Sequence, residues 1–211
     1  MATTNRRNFL KTATAAGAGL IAVPHISKAS VSNQKQVKSE VNIGFIGVGG
    51  RGRGHLRRAG MTEGVKITAF CDIDPEAVKA THNLMKKEGL PEAEAYTDGE
   101  YAFEKMLQRD DIDGVIISTP WLWHTRMAVA TMKAGKYAAV EVSAANTMEE
   151  CWDLVNTSEE TGMPCMILEN VNYRRDVMAA MNMVKQGVFG EIVHARCGYR
   201  HSLLNVKFNG D

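Results

Sequence analysis

The sequence predicts an α/β fold: a doubly wound parallel sheet, followed by the start of a second α+β domain. Three observations predict it. Short apolar runs alternate with helix-length amphipathic segments between residues 41 and 170. The first apolar run passes into Gly47-Val48-Gly49-Gly50-Arg51-Gly52, which fits G-x-G-x-x-G and opens a helix. The second apolar run ends in a carboxylate, Asp72.

The first strand is expected over residues 42–46 of VNIGFIGVGGRGRGHLRRAG. Gly47 then permits a tight turn, and Gly49 lets the backbone approach a pyrophosphate. Gly52 lets helix and strand pack closely. The helix start offers unpaired N–H groups and the positive end of its dipole to phosphates, and Arg51 adds a direct charge. The second strand is VKITAFCD, 65–72, and its Asp72 lies about 20 residues beyond the last glycine. A carboxylate there accepts hydrogen bonds from adenosine ribose hydroxyls and repels a 2′-phosphate, which favours NAD over NADP.

Pro75 opens the helix 75–89, with Asp74 before it and Gly89 as its stop. Val78, Thr81, Leu84 and Met85 share one face of that helix. A second amphipathic helix is expected over 98–110, a buried strand over 113–120, a helix over 124–135 and a strand over 136–142. Thr147 and Glu150 form a capping box for the helix 148–162, and PCMILEN, 164–170, is one more strand. Residues 175–190 read as a helix whose methionine-rich face packs in a core, and 191–201 as a strand.

Ligands of such a sheet lie at the carboxyl ends of its strands. Three strand ends carry candidate residues. The first holds Trp121, Leu122, Trp123 and His124. Its tryptophans read as a wall for the nicotinamide ribose, with simple core packing as the alternative, and His124 reads as a helix-start residue rather than a base. The second holds Glu141 and Val142. The third holds Asn170, placed to hydrogen-bond the nicotinamide side of a cofactor.

Composition bounds the rest. Lys and Arg number 25 against 24 Asp and Glu, a net charge of +1, which argues against nucleic acid as partner. The four cysteines show no C-x-x-C spacing, which argues against a zinc site. Cys71, Cys151 and Cys165 sit among apolar neighbours and are expected as buried free thiols. At the N-terminus, Arg6-Arg7 precede Phe9-Leu10-Lys11, a modest apolar run over 12–23 and small residues near Ala29. This layout resembles a twin-arginine export signal, 1–29, with a polar linker over 30–40. It implies the twin-arginine export machinery as a partner and a periplasmic or secreted destination.

GFIGVGGRGRGH, STPWLWHT, KAGKYAAVEVS and ENVNYRRDVMAAMNMVKQGVFGEIVHARCGY together resemble the glucose–fructose oxidoreductase / inositol dehydrogenase superfamily. More narrowly they resemble glycoside hydrolase family 109, the NAD-dependent α-N-acetylgalactosaminidases. The likeness runs from about residue 41 to the C-terminus. It implies a Rossmann domain over 41–170 and the beginning of a substrate domain over 171–211. It also implies NAD as a resident cofactor and a glycoside with terminal N-acetylgalactosamine as substrate. In that chemistry a hydride leaves C3 of the sugar, the aglycone is eliminated, water adds at C1 and the hydride returns. Ordinary glycosidases use two carboxylates instead.

By position, the resemblance puts cofactor contacts on Gly50, Arg51, Asp72, Trp121–His124, Glu141, Val142 and Asn170, and a sugar contact on Tyr199. The superfamily's dehydrogenases carry Glu-Lys-Pro where this chain has Glu141-Val142-Ser143. Valine neither donates nor takes a proton, which disfavours a sugar dehydrogenase. After Tyr199 the family reads His-Asp-Leu-Arg, whereas this chain reads His201-Ser202-Leu203-Leu204, and the family's later proton-transfer residues have no counterpart. The 211-residue chain is therefore expected to hold a nearly complete NAD domain without completing the sugar pocket. A non-catalytic NAD-binding fragment is the alternative. The superfamily's second domain often forms homodimers.

Overall fold

A computed structural model of the chain describes residues 39–198 and residue 202. The expected export signal, most of the linker and Tyr199 lie outside the described residues. Six parallel strands form one sheet: β1 (Val41–Ile46), β2 (Val65–Cys71), β3 (Glu94–Tyr96), β4 (Gly114–Ile117), β5 (Tyr137–Val140) and β6 (Cys165–Ile167). Their spatial order is β3-β2-β1-β4-β5-β6. The chain therefore winds outward from β1 in one direction and from β4 in the other, so the two halves meet at the β1/β4 boundary.

The helices are α1 (Gly50–Gly60), α2 (Pro75–Lys87), α3 (Ala102–Leu107), α4 (Trp121–Lys133), α5 (Met148–Thr161) and α6 (Arg175–Lys185). Helices cover both faces of the sheet, so the strands are apolar on both sides rather than alternating. Phe45 of β1 faces a cluster with Leu56 of α1 and Phe70 of β2, while its neighbour Ile46 faces Phe103, Met106 and Met127 on the other side. Burying each of these large side chains contributes about 1.5–3 kcal/mol.

The capping chemistry holds at two helix starts. The Asp74 carboxylate accepts from the Glu76 N–H, and the Thr147 hydroxyl accepts from the Glu150 N–H. Gly162 closes α5 at φ +68°, a left-handed conformation suited to glycine.

The structure corrects several sequence expectations. β3 lies where no strand was expected; its Tyr96 pairs with Cys71. α3 is shorter than the expected 98–110 helix. α4 starts at Trp121, not at residue 124, because Pro120 sits at its N-cap and its carbonyl accepts from the Trp123 N–H. Residues 191–198 are not a strand: among the described residues no neighbouring strand supplies a ladder for them. The methionine face of α6 is not core. Met178 and Met181 are 54% and 53% exposed, because α6 lies past the edge of the sheet and packs mainly on the short 3₁₀ turn at Asn170–Tyr173.

All four cysteines are free, but Cys151 is exposed on α5 rather than buried, and Cys165 is only half-buried because β6 is the edge strand of the sheet. Burial, and then the charge of Asp72, push the Cys71 thiol up to about 12. Burial also raises Cys165. At pH 8 an aromatic disulfide reagent is expected to modify Cys151 and Cys197 rapidly, the half-buried Cys165 more slowly, and Cys71 only on unfolding. A fast Cys71 thiol would contradict the packing of β2.

Candidate functional site

Sheet register builds the site. Cys71, Ile46, Ile117 and Val140 are paired across four adjacent strands. The residues that follow them, Asp72, Gly47, Ser118 and Glu141, therefore leave the sheet side by side at its carboxyl edge. Each exit is pinned by the neighbouring strand. The Gly47 N–H donates to the Cys71 carbonyl at 2.9 Å, Ser118 N–H to Ile46 at 2.8 Å and Glu141 N–H to Ile117 at 3.0 Å.

Gly47 has φ +81°, and a Cβ there would meet the Ser118 backbone at 2.8 Å. Gly52 crosses so close to the turn that a Cβ would lie 1.9 Å from the Gly47 carbonyl oxygen. Gly49 and Gly50 are the opposite case: a Cβ at either would meet nothing within 4 Å. So two glycines let the protein pack against itself, and the other two leave open space beside the backbone.

Gly49 caps α1 without a side-chain hydrogen bond, and the first turn holds no acid. The N–H groups there form a positive end free to meet an anion. Arg51 stands on that turn with its side chain 60% exposed.

Asp72 faces this turn from β2. One carboxylate oxygen accepts the Val48 N–H at 2.7 Å and the other accepts the Asp74 N–H at 3.0 Å. Asp72 thus holds the glycine turn in place while keeping lone pairs for a ligand. A cleft of about 300 Å³ opens between it, Gly47, Gly49, Thr119 and Trp123. Trp123 closes the cleft, backed edge-on by Tyr101 and Phe103 and stacked by the Arg126 guanidinium at 5.0 Å.

Trp121 and Trp123 do not form one wall. Trp121 is 64% exposed, whereas Trp123 lines the cleft together with Asp72. Leu122 projects into solvent. The His124 ring is buried, with Nδ1 2.6 Å from the Ser143 carbonyl and Nε2 2.7 Å from the Thr119 carbonyl. It ties two strand-end loops together, and any ligand contact from this residue comes from its backbone.

Glu141 and Val142 stand across the β1/β4 boundary from Asp72. Glu141 Oε1 accepts from His55 Nε2 at 2.5 Å and lies 3.5 Å from Arg51 Nε. Val142 is exposed beside it. Asn170 is exposed at the start of the turn that follows β6. Sequence reasoning missed His55. Its four-residue spacing from Arg51 puts both on one face of α1 and was the available signal.

The site can take a nucleotide with two sugars flanking a diphosphate. Open backbone at Gly49 with an uncapped helix start suits the diphosphate. The two carboxylates, Asp72 and Glu141, suit diols on either side.

Comparisons with known proteins agree. Residues 41–169 match the oxidoreductase family with an NAD-binding Rossmann fold, and residues 173–211 match the C-terminal domain of glycosyl hydrolase 109. An alpha-N-acetylgalactosaminidase of Tannerella forsythia is 50% identical over 97% of this chain, which covers 47% of that protein. A glycosyl hydrolase family 109 protein of Parabacteroides distasonis is 48% identical over 97% of the chain and 46% of its own length. The chain spans about half the length of the curated relatives it matches. A scyllo-inositol dehydrogenase of Lactobacillus casei, solved with NAD(H) and scyllo-inositol, superposes with TM-score 0.62 over 72% of this chain and 43% of its own, at 21% identity. That likeness speaks for the fold alone. With a family match across all six strands and the glycine turn, the chain belongs to the oxidoreductase family with an NAD-binding Rossmann fold.

Proposed function

We propose that the chain is the NAD-holding part of a glycosidase that removes terminal α-N-acetylgalactosamine. The observation that carries this reading is a dinucleotide crevice and a glycosyl hydrolase 109 C-terminal match within one chain. NAD, when bound, supplies a reversible hydride acceptor, which lets a glycoside be cleaved without net oxidation. The chain's own residues bind and orient. The Gly47–Gly49 turn, the first turn of α1 and Arg51 take the diphosphate. Asp72 takes the adenosine ribose hydroxyls and Trp123 flanks that end. Glu141 accepts from a ribose hydroxyl on the far side, and Asn170 supplies a polar group beyond it.

Val142 supports hydrolysis over dehydrogenation. It puts an alkyl group beside Glu141, where neither proton donation nor abstraction is possible. The reading extends to a sugar contact at Tyr199 and, in the longer protein, a homodimer. It also includes twin-arginine export to the periplasm or beyond, supported by Arg6-Arg7 and the apolar run after them. No helix among the described residues is long and apolar enough to cross a membrane.

The test is a glycoside assay with p-nitrophenyl α-N-acetylgalactosaminide, followed at 400 nm and 340 nm in the presence of NAD⁺. In protein carrying the complete second domain, nitrophenol release without NADH accumulation is expected. Steady NADH production from free sugar would instead establish a dehydrogenase.

A further inference from the structure

Glu141 leaves β5 as an anion with only 13% of its side chain exposed, so it needs a fixed partner. Two basic side chains reach it from one face of α1. Arg51 does so weakly: its Nε is 3.5 Å from Oε1 and its side chain is 60% exposed. His55, one turn further along, does so closely, with Nε2 at 2.5 Å and its side chain 20% exposed. Both contacts fall on Oε1. Among the described residues the other oxygen, Oε2, accepts only the adjacent Val142 N–H, at 3.3 Å. That leaves Oε2 with acceptor capacity.

We propose that His55 is a positioning residue for the cofactor: by holding Oε1 it turns Oε2 toward a ribose hydroxyl. This rests on the NAD reading given above. Arg51 and His55 divide the work. The exposed Arg51 contact is long enough to be given up when a diphosphate arrives at the start of α1. His55 stays hydrogen-bonded to Oε1, so the Glu141 rotamer remains fixed. The pairing joins the glycine-turn helix to the mouth of β5 across 86 residues of sequence, which makes both halves of the crevice one unit.

The experiment titrates the full 211-residue chain and its variants with NAD⁺, and separately with ADP, by calorimetry. ADP occupies only the Asp72 half. His55→Ala is expected to weaken NAD⁺ about ten- to a hundredfold, the weight of one charge-assisted hydrogen bond, while ADP affinity stays within about twofold. His55→Gln, whose amide N–H can still donate, is expected to recover most of the loss. Wild-type affinity for NAD⁺ in His55→Ala overturns the proposal, as does an equal loss for ADP. Failure of the wild-type chain to bind NAD⁺ overturns the cofactor reading and this proposal with it. If His55→Ala does not fold, the ¹⁵N resonance of His55 Nε2 in the wild-type chain decides. A proton on that nitrogen, with a resonance that moves in Glu141→Gln, is the expected result. An unprotonated Nε2, insensitive to Glu141→Gln, overturns it.

Discussion

Gly52→Ala is expected to lower the melting temperature by several degrees and to abolish NAD⁺ binding. The added Cβ would lie 1.9 Å from the Gly47 carbonyl oxygen and 2.9 Å from its carbon. The obstacle is backbone, so no side chain can swing aside. The turn itself has little room to give. Gly47 is held by its N–H bond to Cys71, and on its other side the Ser118 backbone is already close. Relief therefore requires α1 to lift off β1, taking Leu56 out of its cluster with Phe45 and Phe70. Over-packing of this kind costs about 1–3 kcal/mol, which is about 2–4 °C per kcal/mol in a chain of this size. The paired control is Gly49→Ala. Its Cβ meets no protein atom within 4 Å and its φ of −61° suits alanine. It is expected to melt within about 2 °C of the wild type and yet to weaken NAD⁺, because the methyl occupies the space the diphosphate needs. Melting curves with calorimetry separate the two. Equal melting temperatures for Gly52→Ala and the wild type would contradict the close approach of α1 to the turn.

Asp72→Ala is expected to fail in two ways that scale differently. Losing the acceptors for the Val48 and Asp74 N–H groups loosens the glycine turn and the start of α2, at about 1–3 kcal/mol for charge-assisted bonds of which the first is part-buried and the second exposed. Losing the ligand for the adenosine diol costs a further factor in NAD⁺ affinity, about tenfold or more. Asp72→Asn separates these effects, since its one amide oxygen can keep a single backbone N–H while the charge is gone. Without that charge the repulsion of a 2′-phosphate also goes. Asp72→Asn is therefore expected to narrow the preference for NAD⁺ over NADP⁺ by at least tenfold, measured as the ratio of dissociation constants. An unchanged ratio would remove Asp72 from the ribose site and leave it a purely structural role.

Much of the fold was legible because its signals are local. Gly47 through Gly52 follow a strand and open a helix within a dozen residues, and Asp74 with Pro75 announces α2. What escaped the sequence was set by tertiary context. β3 is three residues long, Glu94–Tyr96, too short to show a period, and exists because β2 offers it a ladder. The start of α4 was misplaced because Trp121 and Trp123 read as loop residues, whereas Pro120 had already begun the helix. Residues 191–198 have strand-like composition but no pairing strand among the described residues. The methionine stripe of α6 has helical spacing, which cannot say whether another element covers it.

The site divides the same way. Asp72 and the glycines were found from spacing alone, because the motif encodes their geometry. Glu141 was found as a carboxylate at the mouth of a strand, and its partner was not. His55 is 86 residues away and meets it only because β5 ends, and α1 begins, at the same edge of the sheet. His124 was expected to start a helix and lies instead three residues inside one, and its link between the Thr119 and Ser143 carbonyls depends on where two separate loops run.

The central claim is that the crevice at the β1/β4 boundary holds a nicotinamide dinucleotide. Isothermal titration of the folded 211-residue chain with NAD⁺ tests it most directly. The account predicts saturable binding of one NAD⁺ per chain, competed by ADP and weakened in Asp72→Ala. A chain that melts cooperatively and yet gives no heat with NAD⁺ would contradict it.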